Sequence, residues 1–246
     1  MEHARGRLDD RGRKVAALLW DPVAAGGELS GKRVVFIAPD GPMHLMPFAA
    51  LPAGPGYLIE QVNLACVSTG KDFLRSRRPG SHAGALLVGG VDFNSRPSLA
   101  QAPATRARGR LSRLNDLEWN PLPGTTEEVD AIAAAMAGAS LPTALLKGGL
   151  AQKATVSACE TGLGEIKRGE GVFGLQRSFV MAGAEALVMS LWSVPDQETR
   201  DLMVSFYRHI LAGGSKREGF RQSQLGMLKA RAHPFFWAAF QYLGVD

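Results

Sequence analysis

The sequence predicts an α/β fold in which a mostly parallel sheet carries helices on both faces. Short apolar runs alternate with amphipathic helical patterns along the chain, which is typical of that class. The run from Ala186 to Trp192 is continuously apolar, as expected of a strand buried on both faces, and Arg33 to Ala38 is rich in the β-branched and aromatic residues of a strand. With 246 residues, 46% of them hydrophobic, the chain can bury a substantial core.

The N-terminal part predicts a tail, a helix and then the first strands. Residues 1–14 are strongly charged and predict a flexible tail, and the pattern from Val15 to Trp20 begins a helix that Asp21-Pro22 interrupts. The strand from Arg33 to Ala38 ends at a Pro-Asp-Gly turn. The segment from Tyr57 to Ser68 predicts one or two strands, with Cys66 inside them as a small buried hydrophobe.

The middle of the chain predicts one strand, a long polar connection and one helix. Ala85 to Gly90 is an apolar run that ends in glycines, typical of a buried strand. Asp92 to Asn120 is polar and irregular. Thr125 to Glu128 has the pattern of a capping box and predicts a helix from Glu127 to Ala137.

The C-terminal part predicts a strand, two helices and a final strand. After the run Ala186 to Trp192, Asp196 is a suitable N-cap for a helix over Gln197 to Leu211. A second amphipathic helix covers Ser215 to Arg231, and Pro234 leads into a terminal strand from Phe235 to Leu243. Trp192 and Trp237 are expected in the core or in the wall of a cleft.

One cysteine lies at the point where a strand meets a glycine-rich loop. Thr155 to Ala158 is a short extended run, and Cys159 follows it directly. The glycines after Cys159 predict a loop without regular structure, and a helix with Val172, Leu175 and Phe179 on one face should follow. The carboxyl end of a parallel strand is where α/β sheets build their sites, so Cys159 is the first candidate for chemistry.

Several sequence blocks resemble the CHAT domain, a caspase-like cysteine peptidase module found in bacteria and elsewhere. The blocks occur in that family's order over most of residues 16–246: IAPDG, LMPFAAL, LPGT, SACETGLG, GEGVFGL, AGA and SLW. The resemblance implies a single caspase-like domain over residues 15–246 that acts on, or binds, a protein or peptide. Because CHAT domains often follow tetratricopeptide repeats, it also implies tetratricopeptide-repeat proteins as partners; this chain contains no such repeat.

One block of that family is missing here. Between Leu145-Leu146-Lys147-Gly148 and the cysteine strand, the family carries a strand that ends in a His-Gly pair, whose histidine is the catalytic base. In this chain Ala151-Gln152 runs almost directly into Lys153-Ala154-Thr155. We therefore expect a truncation near residues 150–153, a sheet without part of its centre, and a poorly ordered junction at the strand from Lys153 to Ala158.

The resemblance implies Cys159 as nucleophile, and Glu160, Thr161 and Gly162 as the loop beside its oxyanion site. A cysteine peptidase also needs a base. His82 and His44 are the candidates, although His82 stands at the start of a strand and a histidine is common at the place of His44 in the family. Glu160, Glu165 and Glu170 are interpreted as solvated loop acids, with a pocket for a basic side chain as the alternative. No cofactor or metal ion is expected.

Composition limits the remaining classes of function. No apolar run reaches the length of a membrane span, and the charged N-terminus lacks a signal-peptide core. Two cysteines do not make a disulfide framework, so a cytoplasmic protein with reduced thiols is expected. The net charge is +5, but the arginine clusters at 75–78 and 106–113 lack interleaved aromatic residues. We predict no binding to membranes or nucleic acids.

Three hypotheses for function follow. The first is a catalytically impaired pseudopeptidase that acts through protein–protein interaction. The second is an active cysteine endopeptidase with Cys159 as nucleophile and a non-standard or partner-supplied base. The third is a non-enzymatic ligand-binding α/β module in which Cys159 has no chemical role.

Overall fold

The structure, a computed structural model, describes residues 2–74, 85–88, 123–139, 143–146, 165–167, 171–173, 179, 184–231 and 233–245. Contacts between Cα atoms group the chain into two units, a first unit of residues 1–80 and 158–246 and a second unit of residues 81–157. That residues 15–246 form a single domain stays a prediction. The predicted junction at Lys153 to Ala158 lies outside the described residues.

The first unit contains most of the regular structure. Its described helices are α1 (Glu2–Leu19), α2 (Asp21–Ala25), α3 (Leu58–Gln61), α5 (Asp196–Leu211), α6 (Lys216–Ala230) and α7 (Pro234–Trp237), with 3-10 helices at Gly41–Leu45, Phe48–Ala50 and Gly70–Leu74. Its described strands are β1 (Val34–Ile37), β2 (Pro52–Ala53), β3 (Gly56–Tyr57), β4 (Asn63–Cys66), β7 (Glu165–Lys167), β8 (Gly171–Phe173), β9 (Ala186–Ser190) and β10 (Phe240–Gly244).

A four-stranded sheet with the order β1-β4-β10-β9 organises the first unit. Strands β1 and β4 are parallel, with Ile37 opposite Cys66, and β10 continues the parallel pairing with Leu243 opposite Cys66. Strand β9 is antiparallel to β10, with Phe240 opposite Ser190. The predicted mixed α/β fold with a mostly parallel sheet is confirmed. Strand β9 is the antiparallel member of this mostly parallel sheet.

Side chains alternate between the two faces of this sheet, and both faces are covered. On β4, Ala65 packs into one core cluster, whereas Cys66 packs into another. Tyr242 and Leu243 on β10 divide in the same way. Helices α5 and α6 cover the face of Ala65, and α1 with the second 3-10 helix covers the face of Cys66. The prediction of helices on both faces is therefore confirmed.

Helix α1 begins earlier than the sequence pattern indicated. The predicted helix from Val15 already begins at Glu2, so it runs through most of the segment 1–14 that we expected as a flexible tail. Ala16 is buried against the sheet, which anchors the C-terminal half of the helix. The predicted break at Asp21-Pro22 is confirmed, because α2 starts at Asp21 with its proline in the first turn. The mobility of residues 1–14 stays a prediction.

The segment from Tyr57 to Ser68 is not purely extended. One turn of helix, α3, separates β3 from β4, because the carboxylate of Glu60 accepts the backbone N–H of Tyr57 at 2.7 Å. Both side chains at the start of this turn are buried, Leu58 in the cluster on the Cys66 face of the sheet and Ile59 in the cluster on the Ala65 face. The prediction of one or two strands therefore missed α3.

The segment after the cysteine loop also differs from the prediction. Strands β7 and β8 form an antiparallel hairpin, so Val172 lies in a strand and not in the predicted helix; Phe179 is helical as predicted, and Leu175 lies outside the described residues. Ile166 and Val172 lie directly opposite each other, and pairs of β-branched residues stabilise such hairpins. Sequence periodicity missed the hairpin because each strand contains only three residues.

The C-terminal helices and strand occur in the predicted order, but some of them begin at other residues than predicted. The helix predicted over Ser215 to Arg231 is confirmed as α6, and the hydroxyl of Ser215 accepts the N–H of Glu218 at 3.3 Å as its N-cap. Helix α5 includes Asp196 in its first turn, since its N-cap is Pro195 and not the predicted Asp196. The predicted terminal strand begins at Phe240, because the preceding residues form the short helix α7.

The second unit consists of a parallel pair of strands and one helix in its described part: β5 (Ala85–Val88), α4 (Pro123–Gly138) and β6 (Thr143–Leu146). The buried apolar face of α4 contains Val129, Ile132 and Met136. The strand and helix predicted here are confirmed. The helix begins at Pro123 rather than at the capping box around Thr125, because proline is favoured in the first turn of a helix.

Candidate active site

Most of the residues that the sequence assigned to catalysis lie outside the described residues. This applies to the nucleophile Cys159, to the loop residues Glu160, Thr161 and Gly162, and to the candidate base His82. Their roles stay predictions. The described part contains His44, the other candidate base, and Cys66, the other thiol.

His44 lies half-buried in the 3-10 helix that follows β1. Its Nδ1 atom is 3.2 Å from the carbonyl oxygen of Gly41. A carbonyl oxygen only accepts hydrogen bonds, so Nδ1 must carry the proton in this contact. In the neutral ring the other nitrogen, Nε2, then has a free lone pair. An unprotonated Nε2 atom can accept a proton, so this contact is compatible with a role of His44 as a base.

Two other histidines, His209 and His233, provide a comparison. His209 on α5 has the same tautomer, because its Nδ1 atom lies 2.8 Å from the carbonyl oxygen of Ser205 one turn earlier. His233 has the opposite tautomer: its Nδ1 atom accepts the backbone N–H of Phe235 at 3.2 Å, which places the proton of the neutral ring on Nε2. His233 is therefore a hydrogen-bond donor and an N-cap of α7 rather than a base.

The hairpin β7–β8 lies against the 3-10 helix that contains His44. The hairpin begins at Glu165, shortly after the cysteine loop in the sequence. The hairpin therefore holds Glu165, which follows the cysteine loop in the sequence, near the segment of His44. Sequence reasoning missed this proximity, because it depends on a hairpin that the periodicity did not indicate. Glu165, one of the three predicted loop acids, lies in β7, and Glu160 and Glu170 are outside the described residues.

Cys66 is a buried thiol, as predicted. Its side chain is 5% exposed on the face of the sheet that α1 covers. Burial raises the pKa of Cys66 to about 12, while a hydrogen bond from Gln241 acts in the opposite direction. A thiol with that pKa is protonated at neutral pH and cannot act as a nucleophile.

Trp192 lies in the wall of a groove, as predicted from the sequence, and Trp237 lies in the core with no exposed surface. The indole N–H of Trp192 donates to the carbonyl oxygen of Phe235 at 3.0 Å, and the two rings stack with centroids 6.4 Å apart. We call this depression the Trp192 groove. Its apolar lining includes Val15, Leu51, Tyr57, Trp192, Leu228 and Phe235.

The groove could not be read from the sequence. Its lining comes from α1, from the segment around β2 and β3, and from the residues on either side of α7. Only Trp192 gave a signal of its own, through its position at the end of an apolar strand. Among the described residues, no cluster of histidine, cysteine or acidic side chains has the arrangement of a metal site. None of the described helices is long and apolar enough to cross a membrane.

Comparison with known proteins gives one family and two relatives. The family model described as CHAT domain matches the chain in two parts, residues 9–149 and residues 140–245. Tetratricopeptide repeat protein 28 of Homo sapiens is 35% identical over 79 residues, and the protein of the same name from Mus musculus is 33% identical over 79 residues. Each match covers 31% of this chain but only 3% of the relative's length.

Proposed function

Because this chain belongs to the CHAT domain family, whose domain is related to caspase-like cysteine peptidases, we propose that it is a catalytically impaired member that acts through protein–protein interaction. Its partners are proteins or peptides. Tetratricopeptide-repeat proteins are the first class to test, since both curated relatives are tetratricopeptide repeat proteins by name. We propose the cytoplasm as its location, since reduced thiols are expected from the sequence and persist in a reducing compartment.

The observation that carries the proposal is the short connection between β6 and the cysteine strand. Strand β6 ends at Leu146, and Thr155 to Ala158 follows with little sequence between them. The family pattern requires a histidine strand at this point. The two family matches also meet here, since they overlap at residues 140–149. A family match that breaks at the junction supports a missing segment.

The loss of a base has a known effect on rate. Removing a general base lowers the rate of acyl transfer by about 10²–10⁴. Removing an oxyanion donor from the same strand lowers it by about another 10²–10³. The thiol of Cys159 would keep a small thiolate fraction at neutral pH. That fraction can react with alkylating agents, but it is too small and too poorly assisted for efficient cleavage of peptide bonds.

The alternative function is an active cysteine endopeptidase in which His44 replaces the missing base. Two observations favour it over a base on any other described element. The contact with Gly41 leaves Nε2 of His44 with a free lone pair, and the hairpin after the cysteine loop lies against the same 3-10 helix. His209 has the same tautomer but lies on α5, so it provides the matched control.

The experiment is the pH dependence of alkylation of Cys159 by iodoacetamide in the purified protein. Cys159→Ala is the blank, and the buried Cys66 contributes nothing to the signal at neutral pH. An impaired protein labels with the pH dependence of an ordinary thiol, whose pKa is about 8.5. His44→Gln and His209→Gln then leave that profile unchanged.

Rapid labelling at pH 6 would overturn the proposal, because it requires a base that activates the sulfur. If His44→Gln then removed the rapid phase while His209→Gln kept it, the alternative with His44 as the base would be established. If neither substitution changed the rapid phase, the base would come from elsewhere and the role of His44 would be excluded.

A further inference from the structure

The Trp192 groove combines an apolar surface with hydrogen-bond donors at its rim. Trp192 and Phe235 form a stacked pair in its wall, and Phe235 keeps 41% of its surface exposed. Tyr57 adds a third aromatic side chain. Exposed aromatic side chains of this kind are enriched at the centres of protein interfaces, where they provide most of the binding energy.

The described residues that line the groove include a positively charged side chain and no negatively charged one. They include the nitrogen donors Arg11 and His233, and none of these described residues is a carboxylate. Arg11 is exposed and forms no ion pair with another described side chain. His233 has its Nδ1 atom engaged by the N–H of Phe235, so Nε2 carries the proton and can donate to a ligand. The ligand that fits must therefore bring an acceptor, and a carboxylate pairs best with a guanidinium group.

We propose that the Trp192 groove binds a peptide segment of a partner protein, in which apolar side chains flank one aspartate or glutamate. The apolar side chains pack against the aromatic wall, and the carboxylate faces Arg11 and His233. The inference rests on the proposed interaction function and names the chemistry of the partner. It involves the described residues alone and does not require any chemistry at Cys159.

A second copy of this chain fits the groove less well than a partner segment. The chain has a net charge of +5, so self-association would bring a cationic surface to a rim that already carries Arg11. A partner segment with a carboxylate is attracted to the same rim.

The test begins with a phage-displayed library of random dodecapeptides, selected on the purified protein with Cys159→Ala to prevent cleavage. We expect the enriched peptides to contain an acidic residue between apolar residues. The best peptide and its variant with glutamine in place of the acid are then measured by fluorescence anisotropy. The glutamine variant should bind roughly tenfold more weakly, as expected for loss of a hydrogen bond between charged groups.

Substitutions in the protein test whether the peptide binds in the Trp192 groove. Arg11→Gln should remove the difference between the acidic and the glutamine peptide, whereas Arg13→Gln should preserve it. Arg13 is the matched control, since it is also exposed on α1 but lines a different depression. Phe235→Ala should weaken both peptides by roughly tenfold. Because Phe235 lies at the surface with 41% of its area exposed, the fold should be retained, and a cooperative thermal unfolding transition would verify this.

Several outcomes would overturn the inference. These are enrichment of no peptide above a Phe235→Asp control, enrichment of peptides without acidic residues, and equal effects of Arg11→Gln and Arg13→Gln. Dimerisation in sedimentation that Phe235→Asp abolishes would assign the groove to a second copy and would also overturn it. A different result would overturn the proposed function alone. If the unsubstituted protein cleaves the selected peptides, the proposal that its activity is impaired is wrong, whereas the assignment of the groove stands.

Discussion

The Nε2 atom of Gln241 lies 3.0 Å from the sulfur of Cys66. The amide of Gln241 on β10 thus donates a hydrogen bond to the thiol of Cys66 on the neighbouring strand β4. Both side chains point to the face that α1 covers, where Cys66 packs against Leu243 and Leu58. This contact explains how a polar glutamine is accommodated next to a buried cysteine. The surrounding apolar packing still keeps the thiol protonated, since burial is the larger effect on its pKa.

Because Cys66 is buried, we expect an alkylating reagent to modify it in the unfolded chain but not in the folded protein. With a pKa of about 12, the thiolate fraction of Cys66 at pH 8 is on the order of 10⁻⁴. We expect iodoacetamide to leave Cys66 unmodified in the folded protein and to modify it fully in urea, as read by peptide mass spectrometry. Modification of Cys66 under native conditions within minutes would contradict the burial of this thiol.

The same pKa predicts a loss of stability at alkaline pH. The folded pKa of Cys66 is raised from an ordinary value of 9.0 to about 12, so folding favours the protonated thiol. The stabilisation is complete below pH 9 and decreases as the pH rises from 9 towards 12, because the unfolded chain then loses a proton that the folded chain keeps. The free energy of unfolding should fall by roughly 1 kcal/mol per pH unit from this group alone.

Urea unfolding at pH 8, 9.5 and 10.5 measures this slope, and Cys66→Ala is the control. The alanine variant is less stable at pH 8, since it removes a buried sulfur, but it lacks the titrating group. Its stability should therefore decrease less steeply than that of the unsubstituted protein over the same range. Identical slopes would show that Cys66 does not contribute to the alkaline loss.

The buried amide of Gln224 predicts a large effect from a single substitution. Its Nε2 atom donates to the carbonyl oxygens of Trp237 and Phe240, at 2.8 and 3.0 Å, and thereby joins α6 to the turn before β10. Gln224→Ala leaves two buried carbonyl groups without their donor, so we expect a loss of about 2 kcal/mol in the free energy of unfolding.

Gln222→Ala is the matched control for Gln224→Ala. Gln222 lies on the same helix, but it is exposed, and its amide donates to Glu218 within that helix. Chemical denaturation should show a change of at most about 0.5 kcal/mol for this variant. Equal losses for the two variants would contradict the bridging role of Gln224.

Alanine substitutions at two glycines should change the stability of the protein in opposite directions. Gly244 has φ +151°, and a Cβ atom there would lie 2.9 Å from the carbonyl oxygen of Glu185, so Gly244→Ala should destabilise the protein by about 1–3 kcal/mol. Gly226 lies inside α6 with open space at the position of a Cβ atom, so Gly226→Ala should stabilise it by about 0.5–1 kcal/mol. Thermal unfolding compares both, and a stabilising Gly244→Ala would refute the crowding at the end of β10.

Elements with a strong local signal were predictable from the sequence. The β-branched run of β1 and the serine before α6 each identify their element without tertiary information. The direction and neighbours of β10 were not predictable, because they depend on pairing with β4 and β9, which lie far away in the sequence. The short helix α3 was missed because the capping contact of Glu60 overrides the β propensity around it.

Some features of the candidate site were also predictable from the sequence, and others were not. The burial of Cys66 and the position of Trp192 in a cleft wall followed from residue type and from place in an apolar run. The tautomer of His44 did not, since it is determined by a backbone carbonyl oxygen three residues earlier in a 3-10 turn. Local geometry of this kind has no signature in composition or periodicity.

The position of β10 between β4 and β9 has a consequence for biosynthesis. During translation, β1 and β4 emerge early and can pair, but β4 acquires its second neighbour in this sheet only when Phe240 to Gly244 have left the ribosome. Until then, its edge presents unpaired backbone groups to other nascent or unfolded chains. Chaperone contact with the growing polypeptide should therefore persist until the residues of β10 are available, and release should coincide with closure of the sheet.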